Sequence, residues 1–358
     1  MLKKVLIINE GFSSNLGDQA IKQSMEALCK AAGFKSDFSY FTNPGLKHLP
    51  DYKYIHSKNN QDNNKLFVNI KNSISPVFKF FIYLRYFLRL KKQINVSLAN
   101  KHYDMVLIGG GQLINSSKKE QLSFFAIALY LWAKAISKKE TPFYLVGIGV
   151  AGSFHSIEKQ FYKKAIQQAK GIWVRDLFSQ QSMTTNFNLP CSLAPDVAFF
   201  EPNTLLINKK ENTALVGIYN YTELKNSFGS KETDKNAYYQ KWKNIVSHYR
   251  EIGLQVSLFY TTVSDAEETR CFQQYLAMQQ FHVTIVETNS LHELNQLLET
   301  AGKVYSARMH ALILAFKKGC QVEVFEISQK LKSFKEDYID AKNYPEVISQ
   351  EVNNTFVD

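Results

Sequence analysis

The alternation of two hydrophobic rhythms along this chain constrains its fold most. Short β-branched apolar runs occupy residues 4–9, 37–41, 103–109, 142–150 and 171–176, and again 214–221, 254–260, 281–287, 303–308 and 321–327. Longer stretches with helical spacing separate them. Parallel strands need such crossovers, because a chain cannot return to the same end of a sheet through a tight turn. Predicted helices include Asp18 to Ala32, ended by Gly33, and the run EQLSFFAIALYLWAKAI beginning at Glu120. Another opens at Ser290 with Glu293 three residues on, a capping-box spacing. At 358 residues the chain exceeds one ordinary core. The expected fold class is therefore α/β, with two doubly wound Rossmann-like domains facing a cleft. The expected bounds are 1–204 and 205–334, joined by the polar connector LLINKKENT, with 335–358 packing back on the first domain.

Charge narrows the partners. The net charge is +11, and between Asp62 and Asp104 no acidic residue occurs while Lys65, Lys71, Lys79, Arg85, Arg89, Lys91, Lys92 and Lys101 all do. The same span holds SPVFKFFIYLRYFLRLKKQINVSL, in which Arg85, Arg89 and Lys92 fall on one helical face. Its charges break up the ~20 apolar residues that a bilayer span needs. Two readings stay open: an interfacial helix at an anionic leaflet, or a buried helix with snorkelling basic ends. Nucleic acid is disfavoured, since these basic residues interleave with apolar ones and form no recognised module. Four widely spaced cysteines without C-x-x-C, and an N-terminus that runs directly into a strand, lead to the expectation of reduced thiols in a cytoplasmic protein, peripheral on the inner face of the membrane if the interfacial reading holds.

Several junctions carry chemistry-bearing residues. In NEGFSSNLGDQA the predicted strand ends at Asn9, and Asn15, Gly17 and Asp18 lead into a helix. The carboxylate of Asp18 could take a proton from a sugar hydroxyl or simply cap that helix. Gly109, Gly110 and Gly111 follow a strand and permit close approach, yet no lysine follows to make a nucleotide-binding P-loop. Gly147, Gly149 and Gly152 match G-x-G-x-x-G, but deep within the half instead of on its opening strand, so a glycine turn lining a crevice is preferred to a dinucleotide fingerprint. Arg175 and Asp176 sit at the next strand-to-helix junction, where Arg175 could fork onto a phosphate or pair with a capping Asp176. Pro195-Asp196 is most cheaply a turn. In VYSARMHALILAF, Arg308 offers a bidentate grip on an anion, and His310, a residue type that titrates near neutrality, can anchor an anion or move a proton. Lys330 and Lys332 add further anion contacts beyond the next strand. No metal-ligand cluster is visible.

Taken in order, Asn15-Leu16-Gly17-Asp18, Gly109 to Gly111, Gly147 and Gly149, Arg175-Asp176 with Ser179, Pro195-Asp196, and Arg308 to His310 resemble the polysaccharide pyruvyltransferase family. The chain departs from the family where Gly-x-Pro is usual, reading Gly319-Cys320-Gln321, and where Ser333 replaces a glycine. The resemblance implies a GT-B-like fold and transfer of pyruvate from phosphoenolpyruvate onto two sugar hydroxyls as a cyclic ketal, with no cofactor and no metal. With that reaction, the residue types lead to the expectation of Arg308 on the donor carboxylate, Arg175 on its phosphate, Lys330 as a further donor contact, and His310 as acid or donor anchor. Asp18 would be the acceptor-side base, with Asn15, Gly17, Gly110, Gly111, Gly149 and Asp176 around the acceptor or cleft. Expected partners are phosphoenolpyruvate, a glycan or lipid-linked sugar, and an anionic membrane surface. The rival expectations are a glycosyltransferase using a nucleotide sugar, a nicotinamide-dependent oxidoreductase, and a non-catalytic membrane-associated glycan-assembly protein.

Overall fold

The computed structural model describes residues 3–49, 76–116, 122–200, 202, 210–228, 234–341, 351 and 355. Lys65, Lys71, the 204/205 domain bound, most of the connector and most of the segment after 341 lie outside the described residues. Two wholly parallel sheets account for the strand pattern. The first contains β1 (Lys4–Asn9), β2 (Lys35–Tyr40), β3 (Met105–Gly109), β4 (Phe143–Ile148), β5 (Gly171–Val174) and β6 (Ser192–Leu193), in the order β2-β1-β3-β4-β5-β6. The second contains β7 (Lys210–Gly217), β8 (Gln255–Phe259), β9 (Thr284–Ile285), β10 (Ala301–Ser306) and β11 (Gln321–Val324), in the order β11-β10-β7-β8-β9. Both are doubly wound, and the winding reverses between β1 and β3 and between β7 and β10. Those reversals open crevices at the strand C-termini.

Helices α1 (Leu16–Ala31), α2 (Pro76–Leu98), α3 (Phe124–Ser137), α4 (Ser156–Ile166) and α5 (Leu177–Phe187) serve the first sheet. After a 3-10 turn at Val197–Phe200, α6 (Tyr221–Phe228), α7 (Lys235–Glu251), α8 (Val263–Ala277), α9 (Leu291–Glu299), α10 (Met309–Lys317) and α11 (Gln329–Phe334) serve the second. β1 shows why helices must lie on both faces. Val5 and Ile7 point into one apolar cluster, Leu6 and Ile8 into another, and none exceeds 2% exposure. The cluster holding Val5 and Ile7 continues through α1 and Val197–Phe199 into Leu215, Val304 and Leu312 of the second half, so the halves share a core. Tyr338, beyond α11, lays its ring 4.7 Å from that of Phe199.

Three local departures from the sequence pattern have simple causes. α1 begins at Leu16, two residues before Asp18, because Asn15 caps it by accepting a hydrogen bond from Gly17 N at 2.9 Å. β9 keeps only two of its expected residues; it is an edge strand paired with β8 alone. β6 was not foreseen, since two exposed residues carry no alternation. The basic apolar stretch forms α2 and satisfies neither sequence reading by itself. Leu90, Ile94 and Leu98 are buried, whereas Phe81, Leu88 and Val96 are exposed. No helix among the described residues is long and apolar enough to cross a membrane.

Gly109 ends β3 against β4 so closely that a Cβ there would lie 2.0 Å from Val146 O. A backbone oxygen cannot be moved aside as a side chain can. Gly109→Ala is expected to lower stability by about 1–3 kcal/mol, read as a lower urea midpoint at unchanged slope.

Candidate functional site

The C-terminal ends of both sheets turn toward one another and enclose a cavity of about 220 Å³. From the first half its walls are Asn9 and Glu10 after β1, Asn15, Gly17 and Asp18 at the start of α1, Gly110 to Leu113 after β3, Phe125 on α3, and Arg175 after β5. From the second half they are Thr261 after β8, Arg308 to Ala311 after β10, and Lys330 on α11. The halves are pinned where they meet: Leu16 N donates to Thr261 O at 2.9 Å. A Cβ on Gly17 would lie 2.7 Å from His310 Nδ1 and 2.8 Å from its Cβ, so only glycine lets the imidazole seat against α1.

A buried carboxylate organises the charges behind the cavity. Asp196 Oδ2 accepts from Arg175 Nη1 at 3.2 Å, and Asp196 Oδ1 accepts from Ala198 N at 2.9 Å. His310 Nε2 stands 3.6 Å from the same Oδ2, too long for a hydrogen bond. Burial alone would raise the Asp196 pKa; His310, Arg175 and the Ala198 N–H outweigh it and hold the group at about 2, below its ordinary 3.8. Arg175 is 5% exposed, its Nε lacks a hydrogen-bond partner, and Asp176 Oδ2 lies 3.4 Å from that Nε. Asp176 also caps α5 by accepting from Ser179 N at 2.6 Å, and Ser179 Oγ accepts from Val150 N at 3.0 Å. Of the two readings weighed for this junction, the pairing of Arg175 with a capping Asp176 is present, and Arg175 also lies in the cavity wall.

Arg308 differs from its expected role in one respect. Its Nε and Nη2 fork onto Asp265 at 2.6 and 2.8 Å, and Nη2 also donates to Glu223 Oε2 at 2.9 Å. The plane stacks on Tyr219, 4.0 Å from Cζ to the ring centroid. The edge that would clasp an incoming carboxylate bidentately is already occupied, leaving Nη1 without a hydrogen bond to any described residue. Lys330 is the more responsive cation. Burial, then the neighbouring Arg175 and Arg308, lower its pKa to about 8. Beside it, α10 starts at Met309 without a side-chain cap, and its first N–H groups have no intrahelical acceptor.

Two carboxyls face these cations. Burial raises the pKa of Asp18 despite the Ser13 hydroxyl that donates to its Oδ2 at 2.6 Å and the nearby His310, Lys330 and Arg308. Burial likewise raises that of Glu10, whose Oε1 accepts from Thr42 N at 2.9 Å and Thr42 Oγ1 at 2.8 Å. The glycine motifs serve the protein's own packing. A Cβ on Gly110, which has φ of +72°, would lie 2.0 Å from Ile21 Cγ2, and one on Gly149 would lie 2.6 Å from Arg175 Nη2. At Gly149 the G-x-G-x-x-G turn therefore makes room for an arginine.

Of the residues singled out in the sequence, Asn15, Gly17, Asp18, Gly110, Gly111, Arg175, Arg308, His310 and Lys330 converge on the cavity. Gly149 and Asp176, expected at the acceptor or cleft, are not among the residues of its walls; Gly149 lies behind Arg175, and Asp176 is turned into the α5 cap. Sequence reasoning missed Glu10, and took Asp196 for a turn. Asp196 had a signal, the Pro-Asp pair ahead of an apolar VAFF run; Glu10 had only its place after the first strand. No group of three or more His, Cys, Asp or Glu side chains that could hold a metal occurs among the described residues.

The fold and cavity define a two-lobed α/β protein of the GT-B type with a basic, partly acidic crevice between lobes. Solved structures agree on the fold. The UDP-GlcNAc 2-epimerase of Methanocaldococcus jannaschii superposes with a TM-score of 0.53 at 9% identity, covering 100% of this chain and 93% of that one. An MnaA–UDP structure from S. aureus gives 0.54 at 11% identity, covering 100% and 88%. No curated protein matches the chain. The family model described as polysaccharide pyruvyl transferase matches residues 15–328, and the chain belongs to that family. It is accordingly a transferase of the polysaccharide-pyruvylating kind.

Because the Asp196 pKa is depressed in the fold, its stabilisation is fully present above pH ~4 and is lost as pH falls toward 2. The contribution is about 2 kcal/mol. Asp196→Asn should be less stable than the parent at neutral pH, with the difference shrinking between pH 4 and 2 in urea titrations; a constant difference would contradict the assignment.

Proposed function

We propose that the chain moves the pyruvyl group of phosphoenolpyruvate onto two hydroxyls of a cell-surface glycan sugar, forming a cyclic ketal. One observation carries this reading: a single cavity gathers Arg175, Arg308, Lys330, Asp18 and the uncapped start of α10, which carries His310. Its volume falls below the roughly 300–1,000 Å³ of pockets for drug-sized ligands, which favours a three-carbon enol phosphate over a nucleotide sugar as the group held there.

In this reading the donor phosphate lies at the α10 N–H groups beside Lys330, within the field of Arg175. The donor carboxylate meets Arg308 Nη1, a single hydrogen bond instead of the fork that Asp265 occupies. Asp265 and Glu223 keep the guanidinium in place for that contact. His310, braced by Asp196 and Gly17, delivers a proton to the methylene carbon, making it the methyl group. Asp18, whose pKa is raised by burial, takes the proton of the attacking sugar hydroxyl as its oxygen bonds to the central carbon. Phosphate then leaves that carbon, and the second hydroxyl closes the ring as it gives up its proton. The net change is donor plus diol to ketal plus phosphate, and no cofactor enters it.

Incubation with phosphoenolpyruvate and a panel of lipid-linked or synthetic sugar diols should yield phosphate and a pyruvylated product in equal amounts by mass spectrometry. Arg175→Ala should abolish both. Nucleotide release from a nucleotide sugar, with phosphoenolpyruvate inert, would overturn the reading. Lys330 is a cation below pH ~8, so donor affinity should fall as pH rises from 7 to 9. Lys330→Arg, which keeps its charge, should lose that dependence in calorimetric titrations.

A further inference from the structure

α2 carries a surface that the transferase reading does not use. One face docks through Leu90, Ile94 and Leu98, which are 0–3% exposed. The opposite face presents Phe81 at 58%, Leu88 at 57% and Val96 at 68% exposure. Solvent-facing helix surfaces are ordinarily polar, and scattered exposed apolar residues mean little. Here they lie on one helix face, interleaved with exposed Arg85, Arg89 and Lys92. Among the described residues none of these three cations is in an ion pair, although Arg89 also lies over the Tyr86 ring. The chain supplies no acid to neutralise them between Asp62 and Asp104.

We propose that this face of α2 docks on an anionic lipid surface. The mixture of side chains decides the occupant. Aromatic and aliphatic groups can sink to the acyl boundary while the long cationic stems reach back to lipid phosphates. A second copy of this chain, paired face to face, would instead bring Arg85, Arg89 and Lys92 against their own equivalents, a like-charge contact without relief. The inner side of α2 meets the helix that contributes Phe125 to the cavity wall. Phe124 packs on Tyr86 of α2, ring centroids 4.5 Å apart, and the next residue, Phe125, is in the cavity wall. The proposal stands on the surface of α2 and does not depend on what the cavity binds.

Co-flotation of the full chain with vesicles of phosphatidylcholine alone, or of phosphatidylcholine with one-third phosphatidylglycerol, tests it. Binding is expected only to the anionic vesicles, weakening strongly at roughly 0.5 M salt. Arg85→Gln with Arg89→Gln should reduce it about 30-fold. Phe81→Ser with Leu88→Ser should reduce it too, with the thermal midpoint retained because both side chains are exposed. Turnover of a water-soluble acceptor should be unchanged in both variants, so failure of this proposal and of the transferase reading are separable. No vesicle binding by the parent chain, or binding indifferent to both double variants, overturns the proposal. Self-association in sedimentation that Leu88→Ser abolishes, without lipid binding, would assign the face to a second copy; salt-sensitive binding of an oligonucleotide in place of vesicles would assign it to nucleic acid.

Discussion

The site depends on one buried carboxylate. Asp196 leaves the first sheet just before the connector, binds Arg175 from β5, and faces His310 from the other half at 3.6 Å. A charge held there without partners would be strongly destabilising. The acid therefore fixes both ends of the site and couples their placement to the docking of the lobes. Within the second half, a second buried acid, Asp265, clasps Arg308. Each arginine in the cavity is thus held by protein carboxylates, and the responsive positive charge falls to Lys330 and the α10 N–H groups.

The same economy explains the glycines. At Gly17, Gly110 and Gly149 a methyl group would collide with His310, Ile21 and Arg175 respectively. The missing Cβ at these positions lets the neighbouring side chains pack close to the backbone. A G-x-G-x-x-G spelling carries no information about whether its glycines serve such packing or the close approach of a ligand.

Much of the architecture was legible because the rhythm of buried residues reports it directly. β1 alternates Val5 and Ile7 with Leu6 and Ile8 and is buried on both faces, which only a helix-covered parallel sheet allows. Arg308 and His310 were legible for the opposite reason: they interrupt an apolar run at a strand end. Glu10 and the bracing role of Asp196 were not, since each depends on contacts across 32 and 114 residues of chain, with Thr42 and His310 respectively. The commitment of Arg308 to Asp265, 43 residues away, was hidden likewise. α2 was ambiguous because its composition is the sum of two faces with different neighbours, and only packing separates Leu90 from Leu88.

The backbone bond from Leu16 to Thr261, together with the apolar cluster common to both halves, bears on what the pieces could do apart. A chain cut at the connector would leave Asp18 and Arg175 on one fragment and Arg308, His310 and Lys330 on the other. Neither fragment would own a complete crevice, yet each would expose the surface that recognises its complement. A complete crevice in this architecture is a property of reassembly, and a split version would report the meeting of its two parts.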